Sequence, residues 1–231
     1  VEAPGYYRLA IGRADCTLAV APPHFTGFDH FGPGKFWGPS IQIPALRRAR
    51  ASAFGDFGAL AETVDLFAGR GADAVMINPV HALFPGWGRG FSPYSPSSRT
   101  FLNAAMGDPA LLGLPPLPQR AGGDLIDWPG AMPQRQADLR AVFAGLPPAL
   151  RQRIRAESAA EGAALLRHAL YDALDCRFRA QGADGWQMWP AALHDPDGTA
   201  AQTFARENAE EVEFHLFSQW LAREGLAMVQ A

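Results

Sequence analysis

Hydrophobic and polar positions follow different periods in different parts of this chain. Between residues 5 and 21 two short runs, 6–11 and 17–21, flank Gly12-Arg13-Ala14-Asp15, the punctuation of a β-hairpin. Pro22-Pro23 ends the second run, and a Gly- and Phe-rich stretch follows as far as Gly38 with the composition of a linker. These features predict a domain boundary near residue 35, with 1–34 the end of a β domain plus linker and 35–231 a second unit. Ser40-Ile41-Gln42-Ile43 is a short strand candidate. A polar turn at Gly55-Asp56-Phe57-Gly58 follows, and then Leu60, Val64 and Phe67 stand at i, i+4 and i+7 on one helical face.

The next run, Ala74-Val75-Met76-Ile77, is continuously apolar, which predicts a strand buried on both faces. Strand, helix, strand over about 40 residues is a βαβ unit whose strands should be parallel. Residues 79–130 show little periodicity and many Pro, Gly, Ser and Trp, a length that marks a functional loop or insertion. Two long helices are then predicted. The first, over 148–181, carries Leu166, Leu170, Leu174 and Phe178 on one stripe, and the second carries Phe204, Val212, Leu216 and Trp220.

Composition narrows the partners. The chain has 231 residues, 48% hydrophobic and 19% charged, which is the soluble globular range with mass for a sizeable core. A net charge of -3 gives no large field for nucleic acid or anionic lipid, and the arginines are scattered rather than gathered in a run. No apolar stretch is long enough to anchor the chain in a membrane and no leader pattern opens it, so a cytoplasmic protein is expected. Cys16 and Cys176 match no metal-ligand spacing and are expected to be free thiols. His24, His30, His168, His194 and His215 are dispersed at spacings unlike a zinc site, so neither metal nor cofactor is expected.

In parallel α/β folds ligands gather at the carboxyl ends of strands, which draws attention to Asn78-Pro79-Val80-His81-Ala82-Leu83-Phe84-Pro85. Asn78 and His81 bring hydrogen-bonding groups, while Trp87, Phe91 and Tyr94 bring flat apolar faces. That mixture suits a pyranose, with its apolar C–H faces and its equator of hydroxyls. The segment Ser92-Pro93-Tyr94-Ser95-Pro96-Ser97-Ser98-Arg99 adds hydroxyls on a backbone restrained by two prolines. His81 fits two roles equally, a sugar contact or a side chain that fixes the turn. Asp56, Asp65 and Asp73 read as turn and helix-surface residues, and Glu207, Glu210 and Glu211 as solvent-facing charges on a helix.

Together Asn78-Pro79, His81-Ala82-Leu83-Phe84-Pro85, residues 92–99 and Phe101-Leu102-Asn103 resemble the signature of the bacterial 4-alpha-glucanotransferases, the amylomaltases of glycoside hydrolase family 77. Gly55-Asp56-Phe57-Gly58 is similar to the family's loop before the first barrel helix, and residues 186–190 with 204–226 to its helical insertion. One departure is Ala104-Ala105-Met106, where the family has a Pro-Leu-Tyr-like stretch before the Asp-Pro matched by Asp108-Pro109.

The resemblance implies an α/β fold: part of a (β/α)8 barrel with a helical insertion, preceded by the end of a β domain. It implies retaining transfer of alpha-1,4-glucan segments, with maltooligosaccharides and glycogen- or starch-derived glucans as partners. It also implies substrate contacts from Tyr94, Ser92, Asn78, His81 and Trp87, with Tyr94 beside the sugar at the cleavage point. No stretch resembles the family's catalytic carboxylates, so the chain alone is expected to be inactive and to need the remainder of a glucanotransferase. A non-catalytic glucan-binding module is the rival reading. With too few strands to close a barrel, the isolated chain is expected to be aggregation-prone.

Overall fold

The computed structural model describes residues 3–24, 27, 34–86, 91–120 and 122–230. It falls into two units, Val1–Trp37 and Gly38–Ala231. In the first, β1 (Gly5–Ile11) and β2 (Ala14–Val20) pair antiparallel in the register Gly5↔Val20 to Ile11↔Ala14. Gly12, at φ 61, supplies the left-handed backbone that lets so short a loop match the twist of its strands.

The second unit opens with β3 (Ser40–Ile41), α1 (Phe57–Ala68) and β4 (Met76–Ile77), and β3 and β4 pair parallel as the sequence predicts. Burial does not follow the prediction. Met76 is 64% exposed and Ile77 39%, because among the described residues β4 pairs with β3 alone, in a two-stranded sheet. Beyond the strands Asn78 continues the pairing: its Oδ1 accepts from the Ile43 amide at 2.8 Å and its Nδ2 donates to the Pro79 carbonyl at 3.0 Å.

Asp56 caps α1 by accepting from Ala59 N at 3.0 Å, and it is no surface residue. It is buried and holds two guanidiniums, Arg48 at 3.1 Å and Arg135 at 3.2 Å, while Arg48 also reaches Asp108 at 2.8 Å. Arg135 lies over the Phe54 ring at 4.7 Å. Gly58 sits against this network so closely that a Cβ there would approach Asp108 Oδ2 to 2.0 Å and Arg48 Nη1 to 2.2 Å.

Five helices build the rest, the last of them central. They are α2 (Trp128–Ala144), α3 (Pro148–Glu161), α4 (Ala163–Arg179), α5 (Thr199–Glu207) and α6 (Ala209–Gln230). The predicted 148–181 helix is in fact two, divided at Gly162 by φ 100, and the predicted later helix is likewise divided at Asn208. Helix α2 was not expected. Asp127 caps it by accepting from Gly130 N at 3.3 Å, Pro129 lies in its first turn where no donor is needed, and Pro133 is tolerated one turn further on.

Helix α6 packs against all five other helices. Its face of Phe214, Phe217, Trp220 and Leu221 meets Leu139 and Phe143 of α2 and Ile154 of α3, while its C-terminal half meets Phe57 and Leu60 of α1. Phe217 and Leu221 are fully buried, and each such side chain contributes roughly 2–3 kcal/mol. Cys16 and Cys176 are free. Among the described residues no helix is long and apolar enough to cross a membrane.

Candidate functional site

The motif halves that stand apart in sequence form one hairpin. Strand β5 (His81–Ala82) pairs antiparallel with β6 (Ser98–Leu102), in the register His81↔Leu102 and Ala82↔Ser98 with an irregularity between them. Ser97 closes the neck by donating both its amide, at 2.8 Å, and its hydroxyl, at 3.1 Å, to the Ala82 carbonyl, and Asn103 N donates to the Val80 carbonyl at 2.8 Å. Residues 83–86 and 91–96, on either side of the stretch left undescribed, therefore spring from a fixed base.

Within the loop, residues 92–95 form a turn in which Ser95 N donates to the Ser92 carbonyl at 3.1 Å and Tyr94 N to Ser92 Oγ at 3.3 Å. The prolines on either side restrict this backbone, and the turn leaves Tyr94 73% exposed with its ring available. Phe91 stacks on Trp128 of α2 with ring centres 5.5 Å apart and planes 10° from parallel. His81 is half-buried at the neck, and the Asn78 amide is spent on backbone groups at the end of β4. Trp87 lies outside the described residues. Of the five predicted contact residues, the hairpin thus carries His81, Ser92 and Tyr94, with Asn78 at its root.

A side chain that sequence reasoning did not assign to this site holds the hairpin in place. Gln219 of α6 accepts from Leu102 N at 3.2 Å and donates to the Leu102 carbonyl at 2.8 Å. A helix side chain thereby satisfies the backbone groups that a neighbouring strand would otherwise pair.

Beneath the hairpin lies a cavity of about 30 Å³ lined by Phe84, Asn103, Asp172, His215 and Gln219, among others. Asp172 is buried between two histidines, with His168 Nε2 at 3.5 Å and His215 Nδ1 at 3.9 Å from its Oδ2. Burial, and then the charge of Asp175, push the Asp172 carboxyl well up. Burial, and then His215, push the His168 imidazole down to about 4. Neither Asp172 Oδ1 nor His168 Nε2 has a hydrogen-bond partner among the described residues. This space admits a water molecule or two and no sugar ring, so its carboxylate cannot act on a glucan from there.

Next to it, Cys176, Glu211 and His215 bring a thiol, a carboxylate and an imidazole within 4.8 Å of one another. Their positions in sequence did not show this, because α4 and α6 bring together residues more than thirty apart. Burial pushes the Cys176 thiol up to about 12, so it keeps its proton. Burial would also raise the Glu211 carboxyl, yet bonds from His215 and Arg140 hold it near 2. Its charge is already matched by the Arg140 guanidinium, whose Nη1 lies 2.6 Å from Oε2. Glu211 is thus an ion-paired, half-buried group and not the solvent-facing charge that was predicted, whereas Glu207 and Glu210 do face water.

Comparison with known proteins gives the hairpin a context. Residues 41–231 match the family model described as 4-alpha-glucanotransferase. The 4-alpha-glucanotransferase of Mycobacterium tuberculosis (strain ATCC 25618 / H37Rv) is 30% identical over 254 residues, covering 98% of this chain and 34% of that protein. The Haemophilus influenzae protein of the same name is 26% identical over 264 residues, covering 98% and 37%. Among solved structures, the amylomaltase of Corynebacterium glutamicum superposes with a TM-score of 0.61 at 24% identity, covering 99% of this chain and 33% of that one. The amylomaltase of Streptococcus agalactiae, solved with acarbose, gives 0.66 at 17% identity, covering 83% and 39%.

These superpositions support an α/β fold, and the chain spans about a third of the length of the relatives it matches. With more than four-fifths of its residues inside the family model, this chain belongs to the 4-alpha-glucanotransferases of glycoside hydrolase family 77.

Proposed function

We propose that the β5–β6 hairpin is one wall of the glucan cleft in an enzyme that moves alpha-1,4-glucan segments between maltooligosaccharides with retention of configuration. The observation that carries the reading is the convergence of the two motif halves on one hairpin, with a proline-braced turn that presents Tyr94 to solvent. Tyr94 stacks on the sugar at the cleavage point and directs its hydroxyl at the reacting centre. Ser92 shapes the turn, His81 lines the neck, Asn78 fixes the strand end behind it, and Trp87 adds a second ring.

The β3–α1–β4 unit is the start of a (β/α)8 barrel, residues 35–231 being its first part with a helical insertion and 1–34 the end of a β domain. An outward face as apolar as that of Met76 and Ile77 supports this, since a barrel would cover it. The two carboxylates that retention requires, roughly 5 Å apart, belong to the rest of the glucanotransferase. Its substrates are maltooligosaccharides and glucans derived from glycogen or starch. Two unpaired thiols suit the reducing cytoplasm.

Disproportionation of maltotriose by the full-length enzyme, followed by glucose release, tests the reading. Tyr94→Phe and Tyr94→Ala should lower kcat more than they raise KM. A wild-type enzyme without transfer activity would reject the function, and unchanged kinetics in both variants would reject the role of Tyr94.

A further inference from the structure

The loop that leaves β5 is gripped from outside the motif. At Gly86 the amide donates to Asp175 Oδ2 of α4 at 3.2 Å. Arg179, one turn further along α4, donates from Nε to both Asp175 oxygens at 2.8 and 2.9 Å, and its guanidinium lies over the Phe84 ring at 5.1 Å. From α2, Gln136 donates from Nε2 to the Pro85 carbonyl at 2.6 Å. Three successive loop residues are thus each held by a helix side chain.

The grip is close. A Cβ at Gly86 would stand 2.6 Å from Arg179 Cδ, 2.8 Å from Asp175 Oδ2 and 3.0 Å from the Asp175 carbonyl, so only glycine permits this approach. Asp175 is fully buried. A carboxylate in that setting persists where its lone pairs are matched, and here Arg179 and the Gly86 amide match them. Arg179 is itself tied at Nη1 to Asp184 at 3.2 Å, which fixes the far end of the fork.

We infer that Asp175 and Arg179 are positioning residues for glucan binding: acting through Gly86 and Phe84, they fix residues 84–86, the side of the hairpin that leads from β5 toward the sugar-facing turn. The inference rests on the glucan-cleft reading above. Neither residue touches the glucan. Their effect is to spare the loop an ordering cost at the moment of binding, so their loss should appear in KM. A purely structural role would instead lower the amount of folded enzyme, reducing apparent kcat and melting temperature without moving KM.

The experiment compares full-length wild type with Asp175→Ala, Asp175→Asn and Arg179→Lys in maltotriose disproportionation, with melting temperatures measured alongside. Asparagine keeps a carbonyl acceptor for the Gly86 amide and alanine does not. Asp175→Ala should raise KM about tenfold with kcat largely kept, since a hydrogen bond to a charged acceptor is worth a factor of about that size. Asp175→Asn should recover part of the loss, and Arg179→Lys, whose single nitrogen cannot hold Asp175 and Asp184 at once, should fall between them. An unchanged KM in Asp175→Ala, whatever its melting temperature, overturns the inference, as does an asparagine variant no better than alanine. Wild type lacking transfer activity would instead refute the cleft reading on which it stands.

Discussion

Replacing Asp56 by alanine removes two things at once, and the structure lets each be given a size. The first is the cap on α1, where Asp56 accepts from Ala59 N, a loss of about 1 kcal/mol. The second is the partner of a buried cation. Arg48 keeps Asp108 at 2.8 Å and Glu62 at 2.9 Å, but among the described residues Arg135 keeps a single hydrogen-bond acceptor, the Gly107 carbonyl at 3.4 Å, with the Asp138 charge nearby. Stranding one member of a buried pair costs about 3–5 kcal/mol. The Phe54 ring still lies against Arg135, so the lower end applies, and the total for Asp56→Ala is about 4 kcal/mol. Asp56→Asn keeps the cap and should cost about 3 kcal/mol.

Native-state hydrogen exchange on the full-length enzyme reads this locally. Protection of the Ala59 and Leu60 amides at the start of α1 should fall by nearly a thousandfold in the alanine variant, since ~1.4 kcal/mol corresponds to a factor of ten. A loss smaller than tenfold in Asp56→Ala, or an Asp56→Asn variant as protected as wild type, would show that the ion network does not hold this helix.

Gly58→Ala should be severely destabilising, by about 2–3 kcal/mol or more, because its methyl group would displace Asp108 and Arg48; Gly71→Ala, which meets nothing within 4 Å but sits at φ 80, should cost only about 1–2 kcal/mol, and thermal melts compare the two. His168 is held neutral at about 4 against 6.5 in the unfolded chain. The unfolded state therefore binds the extra proton first, and the stability His168 contributes is full above pH 6.5 and is lost as pH falls toward 4, about 3 kcal/mol in all. Asp172, whose carboxyl is pushed up, contributes with the opposite sign, its share falling as pH rises above its unfolded value. Melting temperature against pH should accordingly be flatter between 6.5 and 4 for His168→Leu than for wild type, and parallel curves would refute the assignment. Gln219→Leu should raise the exchange rate of the Leu102 amide tenfold or more by removing its acceptor, while Ala59 stays protected.

Local patterns were legible where local forces decide them. The hairpin of residues 5–20 follows from its turn, α1 from its apolar spacing and capping turn, and the β3–β4 pairing from the length between the two runs. Helix α2 carries two prolines in its first two turns, Pro129 and Pro133, which blur its sequence signal, although Met132, Leu139 and Phe143 lie on its buried side and Pro129 occupies a position where helices begin. The division at Gly162 was concealed by an apolar stripe that resumes at once beyond it.

At the site, the motif halves drew attention to what folds as the β5–β6 hairpin, yet nothing in them named Gln219, Asp175, Arg179 or the Asp172 pair of histidines. Those meet the loop only after the helices pack. The helical spacing of Asp175 with Arg179, and of Glu211 with His215, was the one local hint of charge pairs buried between helices.

The two bonds from Gln219 to Leu102 make the β5–β6 hairpin a passenger of α6. Because one residue added to a helix turns everything beyond it by about 100°, a single insertion between residues 209 and 218 would swing that amide away from the loop while leaving every motif residue unaltered. Variation in this family that is harmless to the signature can therefore be ruinous when it falls far away, in a stretch no one would scan for sugar contacts.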